Sequence, residues 1–265
     1  MHESSSQAMD FNSKNFRYVT TSFSDFTEKV KRGDKTYLRA LSEEKPTESP
    51  ALLADDFPSL ALDFVLPPQL FQVTEKIFSS VLRVSGPVNM WLHYDVSFRS
   101  VRCVFGVEQS ADRNKVMANV YCQVGGSKRL ILFPPSDVEH LSFAPGSSSS
   151  SVDVFASMDS QTPAQTHPHE AILSPGDVLF LPPLWLHTAT PISNSSIAVN
   201  VFFRDLDANY YAAGRDVYGN RDLAAYEKGR QDVARIANSF QKLPAKTREF
   251  YLLRLADELR RKARG

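Results

Sequence analysis

The sequence predicts a mainly β domain, a barrel or double-sheet jelly roll, followed by a C-terminal helical hairpin. Between residues 79 and 203 the apolar residues fall into short β-rich runs bounded by Gly, Pro, Ser or Asp. After Asp205 the apolar period changes from two to about 3.6 residues. The length of 265 residues, 42% of them hydrophobic, suits one core with an appendage.

The elements follow in order along the chain. Residues 1–14 are polar, and we expect a disordered tail. Residues 15–205 are the predicted β domain, in which short signals up to Leu82 are interrupted by prolines that exclude long helices. Thr36–Ala40 and Phe57–Phe64 are among those short strand and helix signals. The predicted strands are Ser80–Val84, Met90–Val96, Val116–Val124, Arg129–Phe133, Glu170–Leu173, Val178–Leu181 and Ile197–Phe203.

Residues 206–265 form the predicted helical region. Helices are expected over Asp222–Phe240 and Lys246–Lys262, separated by Pro244. The second helix carries an apolar stripe that must cover either the barrel or another copy of itself: Leu252, Leu255, Ala256 and Leu259.

Charge and composition limit the function classes. Lys plus Arg and Asp plus Glu number 30 each, so the chain lacks the overall positive charge of a dedicated nucleic-acid binder. A local basic excess near the C-terminus is either a phosphate-binding patch or a solvated helix face: Lys242, Lys246, Arg248, Arg254, Arg260, Arg261, Lys262 and Arg264. The absence of a long apolar run and of a signal pattern predicts no membrane insertion and an intracellular, cytoplasmic setting.

A metal site is indicated by His93 and Asp95. Residues i and i+2 of a strand face the same side, so this imidazole and carboxylate would project together into the barrel. They suit two positions of a 2-His-1-carboxylate triad, which leaves Fe(II) open positions for a bidentate 2-oxo acid and O2. His187, after the apolar segment 176–186, is the preferred third ligand, because a buried histidine needs partners.

For the other histidines and both cysteines, we expect no role in the metal site. His167 and His169 are rival third ligands, but their Ser, Gln, Thr and Pro-rich surroundings favour solvated loop histidines. His2 and His140 are expected at the surface. Cys103 and Cys122 are too few for a disulfide framework, and Cys122 is interpreted as a small hydrophobic residue in a strand.

Three polar residues are candidates for a co-substrate pocket. Lys128, which opens an apolar strand after two glycines, can pair with the distal carboxylate of a dicarboxylate, although a solvated turn lysine is the alternative. Asn119 and Asn200 lie inside predicted strands, where asparagine is depleted. Their amides are therefore expected to make specific contacts.

The order of these motifs resembles the JmjC oxygenases of the double-stranded β-helix (cupin) fold, close to the factor-inhibiting-HIF asparaginyl hydroxylase. The matching segments are His93-Tyr-Asp, Asn119, Gln123-Val-Gly-Gly-Ser-Lys128, Phe133-Pro-Pro, Gly176-Asp-Val-Leu-Phe-Leu-Pro, Trp185-Leu-His187 and Val199-Asn-Val-Phe. The JmjC hydroxylases of tRNA wybutosine synthesis are more similar still. That closer resemblance is carried by Tyr37-Leu-Arg-Ala-Leu, Phe57-Pro-Ser-Leu, Ser79-Ser-Val-Leu-Arg-Val-Ser, Tyr218-Gly-Asn-Arg-Asp and Leu243-Pro-Ala-Lys-Thr-Arg-Glu-Phe-Tyr.

The resemblance implies Fe(II) bound by His93, Asp95 and His187. It also implies 2-oxoglutarate held by Tyr37, Asn119 and Lys128, with Asn200 assigned to the same co-substrate site. The implied reaction uses O2 to hydroxylate a hypermodified guanosine of phenylalanine tRNA, in a homodimer built through the C-terminal helices. Two alternatives stay open: a JmjC hydroxylase of protein side chains, and a catalytically silent cupin that binds tRNA or protein.

One segment departs from the family pattern. About twenty residues, 97–116, separate the His-x-Asp motif from the Asn119 strand, whereas family members join the two within a few residues. We hypothesise a retained intron or a gene-model error, which comparison of the transcript with the genomic sequence would decide. A genuine insert would have to loop out for Asn119 to reach the pocket.

Overall fold

The structure is a computed structural model that describes residues 1–10, 12–44, 50–68, 77–95, 118–157, 165–203 and 221–263. The chain divides into two compact units, Met1–Asn220 and Arg221–Gly265. The expectations for residues 97–116, for Cys103 and for Arg264 lie outside the described residues.

The first unit is built from eleven described strands and four short helices. The strands are β1 His2–Ser4, β2 Phe16–Tyr18, β3 Thr36–Arg39, β4 Ile77–Ser85, β5 His93–Tyr94, β6 Ala118–Gly125, β7 Lys128–Phe133, β8 His169–Leu173, β9 Val178–Leu181, β10 Leu186–Pro191 and β11 Ser196–Phe203. The helices are α1 Phe23–Lys31, α2 Leu53–Asp56, α3 Pro58–Ala61 and α4 Val154–Ser157, and a 3-10 helix covers Pro135–His140.

The strands form two antiparallel sheets, which confirms the mainly β jelly-roll prediction. The larger sheet has the order β2-β1-β3-β4-β11-β6-β9, and the smaller has the order β5-β10-β7-β8. A buried cluster joins them, with Tyr121 and Ala198 from the larger sheet packed with Leu130 and Leu132 from the smaller. The two sheets therefore face each other across a common interior.

Helix α1 covers the outer face of the larger sheet. Ser22 caps it by accepting a hydrogen bond from the Asp25 amide at 3.0 Å. Its buried residues Phe26 and Val30 pack in one cluster with residues of β4, β6 and β11, among them Cys122. The interpretation of Cys122 as a small strand hydrophobe is confirmed, and its burial raises the pKa of this thiol to about 11.

The N-terminal prediction was wrong. Residues 2–4 form β1, which pairs with both β2 and β3 in the larger sheet. Met9 is buried in a cluster with Phe16 and Tyr37. Hydrogen bonds between strand backbones order this polar segment, and the amino-acid composition of a segment does not reveal such bonds.

Two strand predictions near the site also needed correction. In the described part of the predicted strand Met90–Val96, residues 90–95, β5 covers His93–Tyr94 alone, although the Met90 amide also bonds to the Ala189 carbonyl at 2.8 Å. Strand β10 was missed because its sequence, Leu-His-Thr-Ala-Thr-Pro, shows weak apolar alternation. His187 therefore lies within a strand and does not follow one.

The second unit contains two long helices, as predicted: α5 Arg221–Ser239 and α6 Ala245–Ala263. The Phe240 and Tyr251 rings stack with centroids 6.1 Å apart. The predicted stripe on α6 is half-buried at Leu252, Leu255 and Ala256, whereas Leu259 is 56% exposed. Among the described residues, no helix is long and apolar enough to cross a membrane.

The turn between β6 and β7 gives a stability prediction. Gly126 has a φ of +66°, and a Cβ there would collide with the Ser195 carbonyl; Gly33, with a φ of +80°, has open space around it. We expect Gly33→Ala to cost about 1 kcal/mol through its backbone conformation. Gly126→Ala should cost roughly 1–3 kcal/mol more, because overpacking adds to the same strain. Urea denaturation of both variants measures the difference, and equal losses would contradict the proposed close approach.

Candidate metal centre and its pocket

His93 and His187 lie directly opposite each other on neighbouring strands. The register of β5 and β10 pairs these two residues, and their ring centroids are 4.3 Å apart. Each ring bonds through Nδ1 to the carbonyl two residues earlier, His93 to Trp91 at 3.0 Å and His187 to Trp185 at 2.9 Å. A carbonyl can only accept, so both Nδ1 atoms carry the proton and both Nε2 atoms present a lone pair.

Asp95 supplies a carboxylate to the same point. Its Oδ2 is 3.9 Å from His187 Nε2. One ligand atom from each of His93, Asp95 and His187 lies within 4.8 Å of the others, and no other such group of His, Cys, Asp or Glu occurs in the described ranges. Two imidazole nitrogens and one carboxylate oxygen fit the donor set of a facial triad for a divalent transition metal.

The charges at the site favour the protonation states that a metal requires. Burial, together with the neighbouring His187, lowers the pKa of His93. For Asp95, burial alone would raise the pKa, but His187, His93, Arg83 and the Asn119 hydrogen bond together lower it. The centre therefore offers a deprotonated His93 nitrogen and an ionised carboxylate at neutral pH.

Two asparagines orient the carboxylate. Asn119 Nδ2 donates to Asp95 Oδ2 at 2.8 Å, and Asn200 Nδ2 donates to Asn119 Oδ1 at 2.9 Å. The expectation of specific contacts for both amides is confirmed, and Asn119 reaches the site. A direct bond from either amide to 2-oxoglutarate stays a prediction, since Asn119 here uses both ends of its amide within the protein.

A pocket extends from the triad between the two sheets. Its lining includes Tyr37, Arg83, Lys128 and Asn200 together with both histidines. Lys128 is 6% exposed, so the alternative of a solvated turn lysine is wrong, and burial lowers the pKa of its ammonium to about 8. The Arg83 guanidinium donates a hydrogen bond to the Tyr37 hydroxyl. This end of the pocket is positively charged and suits an anion.

Comparison with known proteins places the chain in a family. The cupin-like domain family matches residues 2–209. A tRNA wybutosine-synthesizing protein 5 from Danio rerio is 34% identical over 99% of this chain and 77% of its own length. The chain belongs to this cupin-like family, in the group of the tRNA wybutosine-synthesizing proteins.

Other similarities are partial. A tRNA wybutosine-synthesizing protein 4 from Neurospora crassa is 70% identical over all of this chain but only 21% of its own length. The cupin-like chain spans about a fifth to a quarter of the fungal relatives it matches. YcfD, a ribosomal oxygenase from Escherichia coli solved with cobalt and 2-oxoglutarate, is 17% identical over 60% of this chain and 28% of that chain. Its TM-score of 0.30 is too low to establish a shared fold.

The rival histidines of this cupin-like chain lie apart from the centre. His167 and His169 are exposed, as expected, but His169 begins strand β8 and does not lie in a loop. His167 bonds through Nδ1 to Asp137 at 3.0 Å. The expectation of a surface position for His2 was wrong. Its ring is half-buried and stacks on Phe16 with centroids 5.1 Å apart, because β1 is part of the sheet.

Sequence reasoning missed three polar residues of the pocket lining: Arg83, Ser85 and Tyr121. Arg83 stands between Leu82 and Val84 in an apolar strand, and a charge inside such a run is a signal that could have found it. Tyr121 precedes Cys122 in a strand of mostly apolar residues, so the composition of this strand contains no sign that the two have different surroundings. Alternation along the strand would have separated them, because adjacent residues face opposite sides.

The geometry predicts which histidines bind a metal. We expect His187→Ala to abolish stoichiometric binding of Co(II) or Fe(II) under anaerobic conditions, since the triad loses one of its three donors. His169→Ala, which removes an exposed rival in the same domain, should bind metal like the unmodified chain. Metal analysis after gel filtration measures both. Loss of metal in His169→Ala with retention in His187→Ala would refute the assignment.

Proposed function

We propose that this chain is an Fe(II)- and 2-oxoglutarate-dependent hydroxylase that acts on the wybutosine-type modified guanosine of phenylalanine tRNA. The observation that carries the proposal is the His93, Asp95 and His187 cluster at one end of a pocket that also contains the buried cation Lys128. Membership in the cupin-like family and relatives that synthesise wybutosine on tRNA support the choice of reaction and substrate.

The residues of the chain have distinct roles in this proposal. Bound Fe(II) would supply the coupling of O2 reduction and 2-oxoglutarate decarboxylation, which yields succinate and CO2, to oxygen insertion into a substrate C–H bond. His93, Asp95 and His187 would hold the metal. The Trp91 and Trp185 carbonyls keep the histidine Nε2 atoms available, and Asn119 holds the orientation of the Asp95 carboxylate.

Lys128 and Tyr37 would bind the co-substrate. The Lys128 ammonium matches the distal carboxylate of 2-oxoglutarate in charge, and its burial strengthens that attraction relative to water. The Tyr37 hydroxyl already accepts a hydrogen bond from Arg83, so its own proton is free to point toward a carboxylate. Apolar groups such as Val88, Met90 and Leu130 complete the lining and limit access of water.

The two C-terminal helices are proposed to dimerise and to contact tRNA, in the cytoplasm where tRNA is available. Phe250, Tyr251, Leu253 and Leu259 on α6 are exposed, and the described core clusters include no residue of either helix. The basic residues of α6 offer contacts to phosphate.

Both assignments of the helices give measurable outcomes. Sedimentation equilibrium should report a dimer that Leu253→Glu converts to a monomer, because a charge would be buried in an apolar contact. Arg260→Glu, on the same helix, should leave the dimer intact and weaken tRNA binding in a salt-dependent way. A monomeric chain, or tRNA affinity that does not change with salt, would contradict the respective assignment.

The reaction itself is tested by succinate release. Iron is reconstituted anaerobically, and turnover of 2-oxoglutarate is measured with and without wybutosine-precursor tRNA, for the chain and for a variant lacking residues 97–116. We expect release that this tRNA stimulates and that His93→Ala abolishes. Stimulation by peptides instead would support a protein hydroxylase. Failure of both forms to bind iron or release succinate would support a catalytically silent cupin.

Lys128 gives the co-substrate affinity a pH dependence. Its pKa of about 8, lowered by burial, means that the ammonium is present below pH 8 and is lost above it. The dissociation constant of 2-oxoglutarate should therefore be flat below about pH 7 and rise above about pH 8. Lys128→Arg should remove the rise, because a guanidinium stays charged. Calorimetry on the Mn(II)-loaded protein measures this, and an unchanged constant up to about pH 9.5 in the unmodified chain would contradict the role.

A further inference from the structure

The Tyr121 side chain is a buried phenol in the pocket whose function the metal centre does not explain. The residue is 5% exposed, and among the described residues its hydroxyl has no hydrogen-bond partner. Leaving a buried donor unpaired costs about 1–3 kcal/mol. A group that persists in this state inside a pocket therefore indicates a ligand that completes it.

The neighbours of Tyr121 indicate the charge of that ligand. The Lys128 Nζ lies over the Tyr121 ring, 5.5 Å from its centroid. The Arg83 charge also acts on the phenol, in the direction that lowers its pKa, but burial is the larger effect and raises the pKa overall. Tyr121 thus stays protonated at neutral pH and can donate a hydrogen bond beside two cations, which suits an anionic acceptor.

Tyr121 lies on the same face of β6 as Asn119, which donates a hydrogen bond to Asp95 of the metal centre. Asn119 and Tyr121 are two residues apart, so they face the same side of the strand, while Cys122 faces the other side and packs under α1. One strand therefore carries the amide that holds Asp95 and a phenol next to Lys128. A molecule that extends from the triad toward Lys128 passes along this face.

We propose that Tyr121 is a specificity-determining residue that donates a hydrogen bond to the distal carboxylate of 2-oxoglutarate, the same carboxylate that pairs with Lys128. This inference rests on the proposed function, because it assigns a further residue to the co-substrate pocket. Its consequence is selection: a 2-oxo acid with a distal carboxylate satisfies both Lys128 and Tyr121, whereas one with a methyl end leaves both unpaired.

Binding, measured without turnover, tests the inference. Mn(II)-loaded protein is titrated anaerobically with 2-oxoglutarate and with 2-oxopentanoate, which has the same chain length but no distal carboxylate. Tyr121→Phe removes only the hydroxyl, and Cys122→Ala is the control for a change on the opposite face of β6. We expect Tyr121→Phe to weaken 2-oxoglutarate binding about tenfold or more, as for a hydrogen bond to a charged group. Binding of 2-oxopentanoate should change less than about twofold, and Cys122→Ala should change neither affinity.

A second variant tests whether the two groups share one carboxylate. In a Lys128→Met background the additional loss from Tyr121→Phe should differ clearly from its loss in the unmodified chain, because neighbouring groups on one ligand are coupled. Equal 2-oxoglutarate affinity in the unmodified chain and in Tyr121→Phe would overturn the inference and leave the proposed function standing. An unmodified chain that binds metal but shows no preference for 2-oxoglutarate over 2-oxopentanoate would overturn both.

Discussion

The register of β5 against β10 is the constraint on which the site depends. It places His93 and His187 opposite each other in the smaller sheet, and side chains of such a cross-strand pair are close enough to share a metal. A shift by one residue would turn His187 to the other face of the sheet and put Leu186 in its place. Hydrogen bonds beside the pair hold that register: the Met90 amide donates to the Ala189 carbonyl at 2.8 Å, and the Thr188 hydroxyl donates to the Met90 carbonyl at 2.6 Å.

The larger sheet contributes the polar groups that complete the candidate site. Asn119 on β6 and Asn200 on β11 belong to the larger sheet, whereas the histidines belong to the smaller one. Asn200 donates to Asn119, and Asn119 donates to Asp95. Arg83 and Tyr121 also come from the larger sheet, and Lys128 opens the strand that follows β6. The site therefore exists only when both sheets are assembled, so that folding and the metal-binding geometry are coupled.

Polar groups inside this pocket oppose folding and favour binding. Arg83, Lys128 and Tyr121 would each be more stable in water, and the Tyr121 hydroxyl and Arg83 Nε have no hydrogen-bond partner among the described residues. The apolar clusters on both outer faces of the sheets offset that cost. Cationic and hydrogen-bonding groups already line this interior, which suits an anionic ligand.

Local patterns in the sequence predicted most strands and both helices because apolar alternation and helical periodicity are strong there. The His93 and Asp95 spacing indicated a metal site, but His187 was selected as the third residue only through the order of the family motifs; the structure brings the three together. The pairing of His187 with His93 was not predictable, since β10 has little alternation and register depends on contacts between distant segments. The role of Tyr121 was missed for a similar reason, because a tyrosine among apolar residues looks like core until the partner of its hydroxyl is sought.

Anomalous diffraction from crystals grown anaerobically with Mn(II) and 2-oxoglutarate would show whether His93, Asp95 and His187 hold the metal. We expect one strong metal peak bonded to His93 Nε2, His187 Nε2 and an Asp95 oxygen, with 2-oxoglutarate extending from it toward Lys128. A metal peak at His167 or His169, with none between His93 and His187, would contradict this expectation.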